Sequence, residues 1–359
     1  MQSVKLVISF FIAILKVISP IGGYIFHGGE DAFFTEWSET DEFTQDSYIT
    51  LEKDPDKDFV ILNLADVQLR DDEVYTDEDY ETRKLIKEMV EKHNPDLITL
   101  SGDNAWGTMA YIELIRLVDS FGIPWAPVMG NHDGERVISE FWAAYLLLNA
   151  ENCLFEFGPE GMGYGNYIIN ITENGRIIHT LFMVDTHNGA EFVNENGETV
   201  SGYDHLWDNQ IEWYKWAVEG VEEIEGRTVE STVIMHIPVY EYKEAWAMFS
   251  SEETGTIDPA FDPVATGSNN EGVCSPPVRT EFFEVCKELG STKNILCGHD
   301  HINNSQIYYE GIRLNYALKT GYGAYYTDDL MGATTITINS NGNANVEHDF
   351  VKAVIPAEE

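Results

Sequence analysis

The chain has 359 residues, of which 21 are Lys or Arg and 62 are Asp or Glu, so its formal net charge at pH 7 is −41. Hydrophobic residues make up 43% and aromatic residues 12% of the chain, which is enough to bury a core and excludes disorder of the whole chain. Because binding to a phosphate backbone depends on clustered Lys and Arg, the lack of a basic run argues against nucleic acids and anionic membranes as partners. An anionic substrate would therefore need a local source of positive charge.

The N-terminal residues combine lysines with a short apolar run. Lys5 precedes the apolar or small residues 6–15, and Lys16 then interrupts the run. A run of this length is typical of a signal peptide and is shorter than the ~20 residues of a membrane-spanning helix. Since no clear cleavage site follows, we predict that residues 1–28 are a signal peptide or an uncleaved N-terminal anchor. The protein would then be secreted or extracytoplasmic, with membrane contact only through that anchor.

The rest of the chain divides by composition into two parts. Residues 29–57 are dense in Asp, Glu, Ser and Thr, and are predicted to be an acidic linker. Residues 58–352 are predicted to be one folded domain. In its first half, short apolar runs alternate with helical patterns, which is typical of β-α-β units. We predict strands at 59–65, 97–101 and 125–129, and helices at 77–93, 108–122 and 136–148.

The second half is richer in strands, which are predicted at 167–171, 177–184, 232–235, 294–297, 312–317, 334–338 and 345–350. Helices are predicted at 207–221 and 279–289, and the segment 250–277 is predicted to be a long surface loop. So many strands with helices between them favour an α/β fold in which two mixed sheets pack together and helices cover both outer faces. The expected architecture is a four-layer α/β/β/α sandwich.

Four cysteines, at 153, 274, 286 and 297, are too scattered for a disulfide scaffold, and none forms a CxxC pair. This spacing disfavours a thiolate zinc site. One or two disulfides stay possible, although buried free thiols are the simpler interpretation.

Five of the predicted strands end in residue types that ligate metals. They are followed by Asp66, by Gly102-Asp103-Asn104, by Gly130-Asn131-His132-Asp133, by His236 and by Gly298-His299-Asp300-His301. In open α/β sheets the ligand crevice lies beyond the carboxyl ends of the strands, so these side chains are expected to converge. Carboxylate, amide and imidazole donors suit zinc, manganese or iron better than calcium. The sequence therefore predicts a site for two metal ions.

The spacing of the donors supports this prediction. Residues two apart at a strand end point to the same side, so Asp66 with Gln68, and His299 with His301, are each able to present two donors to one place. Other histidines stand outside these blocks, and most are expected to be ordinary hydrogen-bonded residues. His187 follows a predicted strand and could line the pocket.

The GDN, GNHD and GHDH blocks, in this order across roughly residues 59–304, resemble the calcineurin-like metallophosphoesterases. The GDN block is similar to that of their purple-acid-phosphatase-like branch. The resemblance implies that Asp103 bridges two metals, that Asp66 and His301 hold one of them, and that the other is held by Asn131, His236 and His299. It also implies that His132 faces the leaving-group oxygen and is oriented by Asp133.

Two positions depart from the family pattern. Gln68 stands where the family usually has a histidine, and its amide oxygen would be a weaker, neutral ligand. The metal site of Asp66 and His301 would then be looser, filled by water, or selective for a harder ion. Trp106 stands where purple acid phosphatases have a tyrosine, so a tyrosinate-iron site is not expected. Arg70, just past the first motif, is either a phosphate-binding group or an exposed charge.

These roles imply a metal-dependent phosphoesterase. Water ionised at the metal pair would attack a small-molecule or peptide phosphate ester, while His132 protonates the departing oxygen. Phosphomonoesters are the favoured substrates. A phosphodiesterase of the same fold and a non-catalytic metal-binding or phosphate-binding module are the alternatives. His132 and Asp133 argue against the module, since a pure binder has no use for a leaving-group acid.

Overall fold

The computed structural model describes residues 30–70, 76–136, 139–193, 196–251 and 255–351. The predicted signal peptide or anchor, residues 1–28, lies outside these ranges and stays a prediction. Within the described ranges, no helix is both long enough and apolar enough to cross a bilayer.

The secondary structure alternates strands and helices along the chain. The strands are β1 Ile49–Glu52, β2 Phe59–Leu64, β3 Leu69–Arg70, β4 Leu97–Ser101, β5 Ala105–Trp106, β6 Trp125–Val128, β7 Tyr167–Glu173, β8 Arg176–Met183, β9 Gly189–Val193, β10 Thr199–Tyr203, β11 Glu230–Ile234, β12 Ala265–Thr266, β13 Thr292–Cys297, β14 Gln306–Tyr309, β15 Ile312–Tyr316, β16 Gly332–Ile338 and β17 Ala344–Phe350. The helices are α1 Asp77–His93, α2 Thr108–Asp119, α3 Glu140–Leu148, α4 Asp208–Glu225, α5 Glu241–Phe249 and α6 Phe282–Leu289.

Two mixed sheets form the centre of the molecule. One has five strands in the order β17-β16-β2-β4-β6, and the other has eight in the order β1-β7-β8-β11-β13-β15-β14-β12. Strands β2, β4 and β6 are parallel, and so are β8, β11, β13 and β15. The parallel strands of each sheet therefore end at a common edge.

Two large hydrophobic clusters separate the layers. One joins the sheets to each other and to α1–α3, and includes Leu62 of β2, Leu181 of β8 and Ile86 of α1. The other covers the outer face of the eight-stranded sheet and includes Val233 of β11, with Trp213 of α4 and Phe282 of α6 packed on it. Burying each such side chain stabilises the fold by roughly 1.5–3 kcal/mol. The predicted mixed α/β architecture of two sheets flanked by helices is confirmed.

Helix α1 shows how local sequence sets its boundaries. The side chain of Thr76 accepts a hydrogen bond from the backbone N–H of Asp79, and the Asp79 carboxylate accepts one from the backbone N–H of Thr76. Asn94 ends the helix in the left-handed conformation, with φ of 42°. Asn94 is followed by a proline, which disfavours further helix.

Part of the predicted acidic linker is built into the domain. Strand β1 lies at the edge of the eight-stranded sheet, parallel to β7. Phe33 packs against the first cluster, whereas Trp37 and Phe43 pack against the second. Residues 30–57 thus contact the domain, because aromatic side chains of this acidic segment pack against both clusters.

The predicted strands and helices are present, with ends that shift by a few residues. The elements that were not predicted are helix α5, the β9–β10 hairpin, strand β1 and the short strands β3, β5, β12 and β14. The hairpin lacks a clear alternation of apolar and polar residues, because the side chains on both of its faces are exposed or half-buried. All four cysteines are free, so none forms a disulfide. Cys286 and Cys297 are the buried free thiols of the simpler interpretation.

Candidate metal centre

The loops after β2, β4, β6, β11 and β13 meet at the shared carboxyl edge of the sheets. Atom Nε2 of His236 lies 3.0 Å from Oδ1 of Asn131 and 3.3 Å from Oδ1 of Asp103. Atom Nδ1 of His299 lies 3.3 Å from the same Nε2. Donor atoms from three other loops therefore lie within 3.3 Å of Nε2 of His236. We call this set, Asp103, Asn131, His236 and His299, the first half of the centre.

A second set of donors adjoins the first. Atom Nε2 of His301 lies 3.4 Å from Oδ1 of Asp66. One ligand atom each from Asp66, Asp103 and His236 lies within 4.8 Å of the others, so the two sets are contiguous. We call Asp66 and His301, with the facing side of Asp103, the second half of the centre.

The backbone around the centre is unusual. Asp66, Gln68, Asp103 and His299 all have positive φ, between 46° and 75°. Side chains other than glycine rarely adopt this conformation, and such residues concentrate at functional sites. Gly130 permits the closest approach, because a Cβ there would collide with the backbone N–H and carboxylate of Asp103.

Hydrogen bonds made by Nδ1 fix the tautomers of two histidines, His236 and His301. Nδ1 of His236 lies 2.9 Å from the carbonyl oxygen of Ser101, and Nδ1 of His301 lies 2.9 Å from that of Tyr325. Since a carbonyl only accepts, each Nδ1 carries the proton and donates it. Each Nε2 is left with a lone pair directed at the centre, which is the arrangement seen in metal-binding histidines.

Charge and burial also fit a cation at this place. Although burial raises the pKa of Asp66, the neighbouring His301 and the charges of His236 and Lys319 hold that pKa below its usual range. Burial lowers the pKa of His236, but the nearby Asp103 and Asp66 carboxylates outweigh it and raise this pKa. Burial and the neighbouring His236 lower the pKa of His299, whose Nε2 is buried with no hydrogen-bond partner among the described residues. Ionised carboxylates and neutral imidazoles are the forms that ligate metals, so the shifts of Asp66 and His299 favour ligation. The raised pKa of His236 shows that the surrounding carboxylates favour a positive charge at this place.

Gln68 differs from its predicted role as a metal ligand. Its amide Nε2 donates to Oδ2 of Asp103 at 2.9 Å, and its Oε1 accepts from Nζ of Lys319 at 2.7 Å. Because an ammonium group has only donors, the amide oxygen must face Lys319. The carbonyl oxygen expected at the metal is therefore already engaged.

Lys319 was not recognised from the sequence. It lies three residues after β15, a parallel strand of the same sheet as β11 and β13, and is 2% exposed. Its Nζ also donates to the backbone carbonyl of Asp66 at 2.9 Å. Burial lowers the pKa of Lys319 to about 8, and the Asp66 and Asp103 charges limit this fall. The rule that located His236 and His299, polar residues beyond parallel strands, would have located it too.

Asp133 does not orient His132, which corrects the prediction. The buried Asp133 carboxylate accepts the backbone N–H groups of Gly130, Asn104 and Ala105, at 2.7, 2.7 and 3.2 Å, and the side-chain amide of Asn104 at 2.8 Å. It thereby joins the two turns that carry Asp103 and Asn131. These hydrogen bonds hold the two loops together, and none of them reaches His132.

His132 stands at the mouth of the centre, with its side chain 37% exposed. Its Nδ1 lies 2.9 Å from Oε1 of Glu135, and its ring meets the edge of Trp106 at 5.6 Å. Its backbone N–H donates to Oδ1 of Asp103 at 2.9 Å. Glu135 is thus the carboxylate beside His132. Trp106, which stands where the resemblance would place a tyrosine, packs against the His132 ring.

Arg70 and His187, two side chains singled out from the sequence, both contact other protein groups. The guanidinium of Arg70 lies over the Trp106 ring at 5.1 Å and pairs with Glu78 at 3.6 Å, so it is partnered by protein groups. His187 stacks on Trp207 at 3.8 Å, and its Nε2 lies 2.8 Å from Oε1 of Gln210. Its neighbour Asn188, rather than His187, lines the cleft described next.

A cleft opens beside the first half of the centre. It is lined by Asn131 and by both strands of the β9–β10 hairpin, through Asn188, Gly189, Ser201, Gly202 and Tyr203. The ring of Tyr203 meets the edge of His299 at 4.4 Å. The hairpin, absent from the predicted elements, therefore forms one wall of the route to the centre.

The predicted surface loop 250–277 reaches the other side of the centre. Glu271 accepts the backbone N–H of Ile302 at 3.0 Å and the hydroxyl of Tyr325 at 2.8 Å. Tyr325 stacks on His301 at 4.2 Å. This loop is therefore tied to the second half of the centre.

The donor set fits a metal centre. Two buried carboxylates, one amide oxygen and three imidazole nitrogens lie together here, and the charges of Asp66, Asp103 and Lys319, all buried, sum to −1. A divalent cation would reverse this excess and would use the lone pairs that now crowd around His236.

Comparison with known proteins agrees with this geometry. The chain is 28% identical to a probable inactive purple acid phosphatase 14 of Arabidopsis thaliana over 274 residues, which are 69% of this chain and 64% of the relative. It is 26% identical to Phosphatase DCR2 of Saccharomyces cerevisiae over 68% of this chain and 44% of the relative. The match thus spans less than two thirds of either relative's length.

Among solved structures, a dimetal phosphatase from Danio rerio has the same fold, with a TM-score of 0.50 at 12% identity, over 79% of this chain and 94% of that one. The sequence model of the calcineurin-like phosphoesterases matches residues 59–303, more than half of the chain. The resemblance read from the GDN, GNHD and GHDH blocks is therefore confirmed, and the chain belongs to the calcineurin-like phosphoesterase family.

Proposed function

We propose that this chain is a metal-dependent phosphoesterase that hydrolyses phosphate monoesters of small molecules or peptides. The observation that carries the proposal is the close approach of Asp103, Asn131 and His299 to Nε2 of His236, with an exposed imidazole, His132, at the mouth of the centre. When bound, divalent ions would lower the pKa of water towards ~7 and polarise phosphate oxygens.

The chain's own residues would divide the remaining work. Asp103 reaches both halves of the centre, since its Oδ1 lies beside His236 and its Oδ2 accepts from Gln68. Oε1 of Glu135 lies 2.9 Å from Nδ1 of His132, so Nε2 would be the atom that passes a proton to a leaving oxygen. The cleft wall of Asn188, Ser201 and Tyr203 presents neutral hydrogen-bonding groups to the rest of the substrate.

A non-catalytic metal-binding module is the second candidate, and one observation favours it. The Gln68 oxygen is engaged by Lys319, so the second half of the centre has one donor fewer than the family pattern. Asp133 no longer argues against the module, because its contacts are structural. His132, beside Glu135 and open to the cleft, supports catalysis.

The test is an activity panel on protein reconstituted with manganese or zinc. We expect hydrolysis of para-nitrophenyl phosphate to exceed that of bis-para-nitrophenyl phosphate, and elemental analysis of the same sample to find bound metal. Asp103→Asn should lose both metal and activity, while the exposed control Asp58→Asn keeps both. Faster diester cleavage would favour a phosphodiesterase. Metal binding without hydrolysis of either ester would favour the module.

A further inference from the structure

A buried cation lies against the second half of the centre. Nζ of Lys319 donates to the Asp66 carbonyl at 2.9 Å and to Oε1 of Gln68 at 2.7 Å, and the residue is 2% exposed. The same lysine therefore contacts the backbone of one predicted metal ligand and the side chain of another.

This contact decides which end of Gln68 faces the centre. With its oxygen held by the ammonium, the amide group turns its N–H donors towards Oδ2 of Asp103, at 2.9 Å. A donor group at this position offers an ion no lone pair. It also engages the Asp103 oxygen that would serve an ion beside Asp66 and His301.

The two halves of the centre are consequently unequal. The first half has the inward-facing donors of Asp103, Asn131, His236 and His299. The second half has only Asp66 and His301 with donor atoms free of Gln68, and they lie 3.4 Å apart. A buried ammonium also repels a neighbouring metal ion, since charges interact strongly where water is excluded.

We propose that Lys319 and Gln68 act as a pair that makes the two metal sites unequal, so that the chain holds one ion firmly in the first half and a second ion only weakly. The inference rests on the metal-binding part of the proposed function. It assigns the asymmetry to two residues of this chain, one of which, Lys319, belongs to none of the sequence blocks that predicted the centre.

The pair makes a defined prediction for metal titration. Calorimetry with Zn²⁺ or Mn²⁺ alone on the full chain should resolve two steps, with the second ion bound at least tenfold more weakly than the first. Lys319→Met removes the positive charge and frees Gln68. It should reduce the ratio of the second dissociation constant to the first at least tenfold. Adding Gln68→His should reduce it further, because a histidine supplies the missing donor.

Lys53 provides a matched control. It is also buried, at 1% exposed, and its Nζ is held by Asp54, Glu173 and Ser340, groups that belong to neither half of the centre. Lys53→Met should leave both metal affinities unchanged. If Lys319→Met does not fold, Lys319→Gln replaces it, since an amide is neutral but still donates hydrogen bonds, and the same narrowing is expected.

Several outcomes separate this inference from the proposed function. Two ions bound with equal affinity by the parent protein, or an unchanged gap in the Lys319 variants, would overturn the inference whether or not esters are hydrolysed. Two-step binding that narrows in these variants would support it even if the activity panel showed no hydrolysis.

Discussion

Asp133 offers a sharp test of how the centre is held together. Its Oδ1 accepts from the N–H groups of Asn104 and Ala105, and its Oδ2 accepts from the N–H of Gly130 and the amide of Asn104. The substitution Asp133→Asn keeps the shape but replaces one oxygen by an NH₂ group. That group would face two donors, so two hydrogen bonds are lost at a fully buried site.

The expected loss of stability follows from these two bonds. A buried donor that loses its partner costs about 1–3 kcal/mol, so we expect the free energy of unfolding to fall by roughly 2–6 kcal/mol. This is a large part of the ~5–15 kcal/mol that a folded domain usually has. Since Asp103 and Asn131 sit on the joined turns, metal affinity should fall as well.

Urea denaturation followed by tryptophan fluorescence measures this loss, with the exposed Asp58→Asn as the matched control. The control should stay within about 0.5 kcal/mol of the parent. A loss of less than about 1 kcal/mol for Asp133→Asn would refute the structural role. A variant with full stability and metal content but low turnover would instead restore Asp133 as the group that orients His132.

Three other substitutions probe separate parts of the account. His132→Ala should keep bound metal and lower turnover by about 10²–10⁴-fold, most for poor leaving groups, and an unchanged rate on an alkyl phosphate would remove His132 from the reaction. Burial lowers the pKa of His179 to about 4, below the ~6.5 of an unfolded chain. The contribution of neutral His179 to the free energy of unfolding is therefore complete above pH 6.5. It is lost as the pH falls towards 4, by up to about 3 kcal/mol. The free energy of unfolding of His179→Gln, measured by urea denaturation, should therefore fall less steeply than the parent's as the pH is lowered over this range. A pH dependence equal to the parent's would contradict this role of His179. Gly220→Ala would gain about 1 kcal/mol in an ordinary helix, but here the new methyl meets the Phe43 ring, so the melting temperature should fall and should recover in a double variant with Phe43→Ala. A rise in the single variant would mean that the segment around Phe43 does not pack on α4.

Periodicity and strand-end chemistry predicted much of the fold. Helix α1 matches its predicted range of 77–93 because its capping residues and apolar spacing agree. Strands β2, β4 and β6 were equally clear, since they are continuous apolar runs followed by polar turns. Elements whose stability comes from distant partners were harder to predict. Strand β1 has a mixed composition and is fixed by pairing with β7, and the β9–β10 hairpin has no buried face of its own.

The candidate site divides in a similar way. The sequence blocks predicted which residues meet, and Asp66, Asp103, Asn131, His236, His299 and His301 do converge. What each side chain bonds to depends on neighbours that spacing does not reveal. The Asp133 carboxylate turned inward to four donors, and the Gln68 oxygen turned to a lysine some 250 residues away in the chain. These partners decide the roles, and they required the structure.

The central claim is that the first half of the centre binds a metal ion. Anomalous diffraction from crystals grown with Mn²⁺ tests it most directly, because the ion's position is seen without any assumption about activity. We predict a strong peak within bonding distance of Asp103, Asn131, His236 and His299. Crystals at saturating Mn²⁺ with no peak among these four side chains would contradict the account.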